Sequence, residues 1–240
     1  MILTIKKNLK QFLNRFGYDI IQSAHDPKNT LLGLTSYDIK TILDIGANEG
    51  QFARYILKFF PSAQLFCFEP LPHPYKKLEN WAAKRPHSKI QTFNIGIGER
   101  SEKRSIFYHL DHSPSSSLLP ATKKLVKIEK KSFRQERIDV KIETLDGVFA
   151  DIKKTIQDDI LIKLDVQGYE DRVLKGGKLL FERAKAAIVE VNTEQLYKGQ
   201  AKFEDLLFLL TSYGFHYGGN LEQHYEKSGK LLFFDAVFFK

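Results

Sequence analysis

The stretch Thr41-Ile42-Leu43-Asp44-Ile45-Gly46-Ala47-Asn48-Glu49-Gly50 constrains the fold more than any other part of the chain. A short apolar run with β-branched residues reads as a buried strand and Gly46 closes it. The helical spacing of Phe52, Tyr55, Ile56 and Phe59 follows at once. Strand, glycine turn, helix is the opening of a βαβ unit. The unit recurs: Leu65 to Phe68 reads as a strand, Pro74 to Ala83 as a helix and Ile90 to Ile95 as a strand. Later come Ile160 to Leu164 (strand), Gly168 to Leu174 (helix), Ala187 to Val191 (strand) and Phe203 to Leu210 (helix). Phe215 to Gly218 and Leu231 to Phe239 read as closing strands. Such alternation predicts an α/β domain, a mostly parallel sheet with helices on both faces and ligands bound at the carboxyl ends of the strands.

The alternation breaks once. Ser105 to Leu110 and Ile138 to Ile142 read as strands without helices of their own, and they flank a Ser/Pro loop at Ser113 to Ser117 and a mostly basic run from Lys123 to Arg137. We read residues 104–142 as a β-containing insertion in a domain spanning 41–240. Residues 1–40 form a helical extension. Within it, Ile5, Leu9, Phe12, Leu13 and Phe16 make an apolar stripe bordered by Lys6, Lys7, Lys10 and Arg15, and a second short helix runs from about Pro27 to Leu34. Such a basic amphipathic helix either packs onto the core or lies on an anionic membrane, giving peripheral contact through residues 1–16.

Composition narrows the class. With 42% hydrophobic residues, 19 Phe and 10 Tyr, the chain has ample core for a globular domain, and no apolar run approaches a bilayer-spanning helix. A single cysteine, Cys67, and an N-terminus without an apolar signal core point to a reduced, cytoplasmic setting. No Cys/His cluster has metal-ligand spacing, so no metal site is expected.

The loop after the first strand lies where a nucleotide-type cofactor would meet a helix N-terminus. It lacks the G-x-G-x-x-G pattern that admits a pyrophosphate. Asp44 and Glu49 disfavour a phosphate there and suit a cationic cofactor with a free amino group, a demand that S-adenosyl-L-methionine meets. Glu69 ends the second strand, where a carboxylate can accept both hydroxyls of a ribose. Asp165, at the end of the strand Ile160 to Leu164, is a candidate base for an acceptor hydroxyl or else an N-cap. Glu190, near the end of the next strand, is a second candidate base or else a salt-bridge partner.

Asp44 to Gly50, Phe68-Glu69-Pro70, and Ile162-Lys163-Leu164-Asp165-Val166-Gln167-Gly168-Tyr169-Glu170 with Leu174-Lys175-Gly176 resemble the FkbM family of S-adenosylmethionine-dependent methyltransferases, in order along residues 41–240. The resemblance implies the class I methyltransferase fold, a seven-stranded Rossmann-like sheet whose last strand is antiparallel. It also implies O-methylation of a hydroxyl on a sugar, glycan or natural product. By the same resemblance, Asp44, Gly46, Asn48 and Gly50 would line the methionine end, Glu69 the ribose, and the exit of the third strand from Asn94 to Ile97 the adenine. Gln167 stands where the family often has Glu.

Two other functions compete with a small-molecule or glycan methyltransferase. A nucleic-acid methyltransferase would use the net charge of +8 and the Lys123 to Arg137 run. However, the strand ending at Leu164 is followed neither by the Asn/Asp-Pro-Pro-aromatic tetrad of amino-group methylation nor by a cysteine, so nucleic acid is not favoured. A binding protein that keeps the fold without chemistry is the other.

Overall fold

The computed structural model describes residues 2–19, 22–85, 89–129, 134–153 and 155–240. After the N-terminal helix α1 (Ile2–Asn14) and a short α2 (Pro27–Thr30), the chain enters β1 (Thr41–Ile45), α3 (Gln51–Ile56), β2 (Gln64–Phe68), α4 (Pro72–Ala83) and β3 (Ile90–Phe93). The insertion follows as β4 (Gly96–Gly98), β5 (Glu102–His109), α5 (Lys123–Glu129) and β6 (Gln135–Thr144). Alternation resumes with α6 (Leu145–Ile152), β7 (Ile160–Leu164), α7 (Glu170–Gly176), α8 (Lys178–Arg183), β8 (Ala186–Asn192), α9 (Phe203–Ser212), β9 (His216–Tyr225) and β10 (Leu231–Phe239).

The main sheet runs β3-β2-β1-β7-β8-β10-β9, with its first five strands parallel and β10 antiparallel to both neighbours. β1, β7 and β8 are buried along their whole length, which is why they read as near-continuous apolar runs. Their side chains alternate between two layers. Leu43, Ile45, Ile162 and Leu164 pack against α6 to α9, whereas Ile42, Leu161 and Ile188 pack against α3, α4 and the segment after α2. Each such side chain, fully buried, contributes about 1.5–3 kcal/mol of apolar transfer free energy.

The order places β1 and β7 side by side at the centre, in parallel register from Thr41–Ile160 to Ile45–Leu164. Strand order reverses about this pair, and a crevice opens at the carboxyl edge where the chain leaves β1 and β7.

Three segments differ from the sequence expectation. The strand expected over Ile90 to Ile95 ends at Phe93, and the chain crosses through Asn94 and Ile95 into a second sheet of order β4-β6-β5. Between its β strands, the basic run forms α5 and the start of β6, with residues 130–133 outside the described set. Within the N-terminal extension, Leu31 and Leu34 are 1% and 0% exposed and belong to the core beneath β1, while Leu9, Phe12 and Phe16 on or after α1 are 50% to 64% exposed. Phe12 and Phe16 meet edge to face at 5.2 Å. The side chains of Ile5 and Lys7 lie outside the described set.

Candidate functional site

The crevice is built first by backbone. Asp165 N donates to Ile45 O at 3.0 Å, and Gly46 N and Ala47 N both donate to Phe68 O at 3.0 Å, which ties the exits of β1, β2 and β7 together. A Cβ on Gly46 would lie 1.9 Å from Asp165 O, and Gly46 has φ +85°, so glycine is the residue that lets the two loops approach. Gly50, also left-handed at φ +86°, starts α3 and packs toward Leu78.

Glu69 then locks the loop. Its Oε2 accepts from Asn48 N at 2.9 Å and its Oε1 from Leu71 N at 2.8 Å, so both oxygens are oriented while each keeps a lone pair. The Asn94 side chain donates to Glu69 O and Pro70 O at 2.9 and 3.0 Å.

These residues enclose a cavity of about 290 Å³. Of the residues expected at the cofactor, Asp44, Gly46, Asn48, Glu69 and Ile97 line it, and so does Asp165. Gly50 and Asn94 do not: the first supports the helix start and the second fixes the backbone of Glu69. Nor does Glu190, which is 8% exposed and accepts from Gln167 Nε2 at 2.6 Å. Glu49 is drawn outward, its carboxylate 2.7 Å from Lys77 Nζ. The far wall comes from the insertion: Ile106, Ser113, Pro114, Ser116, Ser117 and Leu118. Asn48 Nδ2 donates to Ser113 Oγ at 3.2 Å, joining that wall to the β1 loop.

His109 and His112, whose positions flank the insertion loop, do not line the cavity. His109 is 1% exposed, and His112 N donates to its Nδ1 at 3.1 Å. Asp165 does not cap α7: Glu170 Oε1 accepts there from Val166 N and Gly168 N at 3.2 and 3.0 Å. Sequence reasoning missed Tyr197 beside Gln167 and Ile106 in the cavity wall, which chain crossings bring there, and also the roles of Gln167 and Phe52, which stand two residues after Asp165 and Gly50.

The electrostatics are those of an acidic pocket. Burial pushes the Asp44 carboxyl up to about 7 against the attraction of Lys163, and its Oδ2 has no hydrogen-bond partner among the described residues. Burial raises Glu69 to about 7 as well, opposed by the two amides it accepts from. Lys163, 3% exposed, donates to Asp235 Oδ1 at 2.6 Å and stands 3.8 Å from Asp165 Oδ2. Burial disfavours its charge, but Asp235, Asp165 and Glu190 together hold it protonated above its ordinary range. Among the described residues, no lysine, arginine or histidine lines the cavity.

This donor set fits one kind of guest. A buried carboxylate oxygen without a partner calls for a cationic donor, and a carboxylate with two spare lone pairs suits a vicinal diol. A pyrophosphate would face three carboxylates, Asp44, Glu69 and Asp165, and no cation. The ammonium, sulfonium and ribose of S-adenosylmethionine match the set. A second cleft, of about 480 Å³, opens at the end of β8 beside Asn192 and Phe203 and shares no lining residue with the first.

Comparison with known proteins agrees with this chemistry. Residues 44–217 match the methyltransferase FkbM domain. The chain is 28% identical over 221 residues to the 2-O-methyltransferase NoeI of Sinorhizobium fredii, covering 89% of this chain and 87% of that protein. It is 29% identical over 153 residues to the methyltransferase sdnD of Sordaria araneosa, covering 56% and 59% of the two chains. Among solved structures, the methyltransferase FkbM of Methylobacillus flagellatus superposes with a TM-score of 0.53 at 14% identity, over 85% of this chain and 44% of that one, a likeness of fold.

Proposed function

The chain belongs to the FkbM methyltransferase family, and from that premise we propose that it methylates a hydroxyl group of a sugar or glycan acceptor, with S-adenosylmethionine as methyl donor. The observation that carries the reading is Asp44 Oδ2, a buried carboxylate oxygen without a hydrogen-bond partner among the described residues, on the wall of a cavity that also holds Glu69 and Asp165. In this reading Asp44 receives the ammonium group, Glu69 the two ribose hydroxyls, and Ile97 packs against the adenine. Gly46 and Asn48 set the backbone approach, and Gly50 and Asn94 support them from outside the cavity.

When bound, S-adenosylmethionine supplies an electrophilic methyl group; the chain's residues supply the rest. Asp165 is the carboxylate at the cavity wall with a side chain still 35% exposed, so an acceptor hydroxyl can reach it. It orients that hydroxyl and takes its proton, help of the kind worth about 10²- to 10⁴-fold. Lys163 places a positive charge 3.8 Å from Asp165 Oδ2, beside the carboxylate that meets the acceptor. Support for an oxygen acceptor comes from the named activity of NoeI, a relative aligned along 89% of the chain. Incubating the protein with radiolabelled S-adenosylmethionine and a panel of oligosaccharides tests the reading: label should enter hydroxyl-bearing saccharides, and label confined to RNA or amines would replace it.

We further infer that α1 and the turn after it rest on an anionic membrane surface. Leu9, Phe12 and Phe16 stay half or more exposed instead of packing on the core, and Lys6, Lys10 and Arg15 stand among them. An exposed apolar stripe with basic neighbours gains both burial and headgroup attraction there. No helix among the described residues is long and apolar enough to cross a membrane.

A further inference from the structure

Gln167 follows Asp165 by two residues and does not line the cavity, yet every polar atom of its side chain is committed. Its Nε2 donates to Asp165 Oδ1 at 2.9 Å and to Glu190 Oε1 at 2.6 Å. Its Oε1 accepts from the Tyr197 hydroxyl at 2.6 Å. The partners fix the amide one way round, since a flip would set its oxygen against two carboxylates. The backbone carbonyl is used too, accepting from Ser117 Oγ at 2.7 Å, and Ser117 belongs to the cavity wall. The residue holds φ +56°, a left-handed conformation that a non-glycine residue adopts only under such constraint.

We propose that Gln167 is a positioning residue: its amide braces Asp165 against Glu190, turning one Asp165 carboxylate edge to the cavity, so that Glu190 acts on the methyl acceptor only through Gln167. This rests on the reading of Asp165 as the acceptor's base. Two neighbouring carboxylates repel, and a neutral amide with two N–H donors is the group that satisfies both without adding charge. Asp165 lines the cavity and Glu190 does not, so the two carboxylates are not interchangeable bases. The charged groups facing the pair are Lys163 on β7, Asp235 on β10 and Glu170 on α7, with Asp44 on β1 and Glu69 after β2 beside them. Burial, with the charge of Asp165, holds Glu190 well above the ordinary carboxylate range, and Lys163 opposes that rise.

The test uses the full chain with 13C-labelled Asp and Glu carboxyls, the Asp165 and Glu190 signals being assigned from Asp165→Asn and Glu190→Gln. In Gln167→Met both N–H donors are lost. The two midpoints should rise by about one pH unit together, and in Gln167→Glu, which adds a third carboxylate, by more. Turnover of Gln167→Met should fall roughly tenfold or more at neutral pH. Affinity for S-adenosylhomocysteine should stay within about twofold, and the acid limb of the pH–rate profile should move up with the NMR midpoints. A residue that merely held the loop would lower the rate at every pH and leave the midpoints in place, and that result would overturn the proposal. Should Gln167→Met not fold, Tyr197→Phe removes only the hydroxyl that anchors Oε1 and should move the midpoints the same way by less; unmoved midpoints there also overturn it. The titration needs no acceptor: moved midpoints in a protein that transfers no methyl group would keep the brace and refute the reaction, whereas fixed midpoints in an active enzyme would refute the brace alone.

Discussion

Asn48 N and Glu69 Oε2 are 2.9 Å apart, a hydrogen bond between the loop after β1 and the end of β2, two segments 21 residues apart in sequence. The same carboxylate that should receive the cofactor's ribose therefore also shapes the loop that should receive its methionine. Cofactor affinity and loop geometry are coupled through one titratable group, and that coupling has a pH dependence with a definite sign.

Glu69 and Asp44 both ionise near 7 in the fold, against ordinary values of 4.5 and 3.8, because burial disfavours their charge. Raised carboxyls stabilise the ligand-free protein fully below their unfolded values, and that contribution is lost as pH rises through about 7. Glu69→Gln should therefore gain stability relative to wild type at pH 8 but not at pH 4, as denaturant melts at the two values will show. Binding runs the other way, because a ribose diol needs the ionised acceptor. For a group titrating near 7, S-adenosylhomocysteine affinity should rise by about tenfold from pH 6 to pH 8 in wild type, with a shallower rise in Glu69→Gln.

Asp165→Asn should hold cofactor affinity within a few-fold while turnover drops by about a hundredfold or more, since the amide can orient a hydroxyl but not take its proton. Steady-state kinetics beside calorimetry separates the two effects. Turnover near wild type would remove Asp165 as the base.

Gly46→Ala should cost more than the left-handed conformation alone, which is worth about 1–2 kcal/mol for a residue with a Cβ. Gly33→Ala is the control, because Gly33 shares a positive φ of +87° but has nothing within 4 Å of an added Cβ. The difference in melting temperature between the two variants reads the overlap with Asp165 O, and equal melting would refute the close approach.

Much of this was legible in the sequence. The β1 loop and Glu69 announce themselves because strand, glycine and helix signals are local and their spacing sets where the carboxylates emerge. The cavity's far wall was not, because Ser113 and Ser117 meet Asn48 and Gln167 only after β4 pairs with β6 and swings the insertion across the crevice. Asn94 misled for a similar reason. Its position at the strand exit was right, but the chain turns into the second sheet there, and the side chain is consumed by the carbonyls of Glu69 and Pro70. Glu190 shares the strand-end position of a base, yet an intervening Gln167 separates it from the cavity. The short helices α6 and α8 were missed as well, since eight and six residues give the periodicity little room.

Deleting residues 1–16 should abolish binding to phosphatidylserine vesicles at low salt and leave the melting temperature within about 2 °C, since Leu9, Phe12 and Phe16 bury little against the core. An intact protein that ignores such vesicles, with a deletion that melts several degrees lower, would return the helix to the core.

Calorimetric titration of the wild-type protein and of Glu69→Ala with S-adenosylhomocysteine, with NAD as the control ligand, tests the identity of the cavity most directly. Wild type should bind S-adenosylhomocysteine and not NAD, and Glu69→Ala, verified as folded, should bind about tenfold to a hundredfold more weakly, the loss of a charge-assisted contact worth about 1.5–3 kcal/mol. Unchanged affinity in the variant, or NAD binding by the wild type, would contradict the assignment.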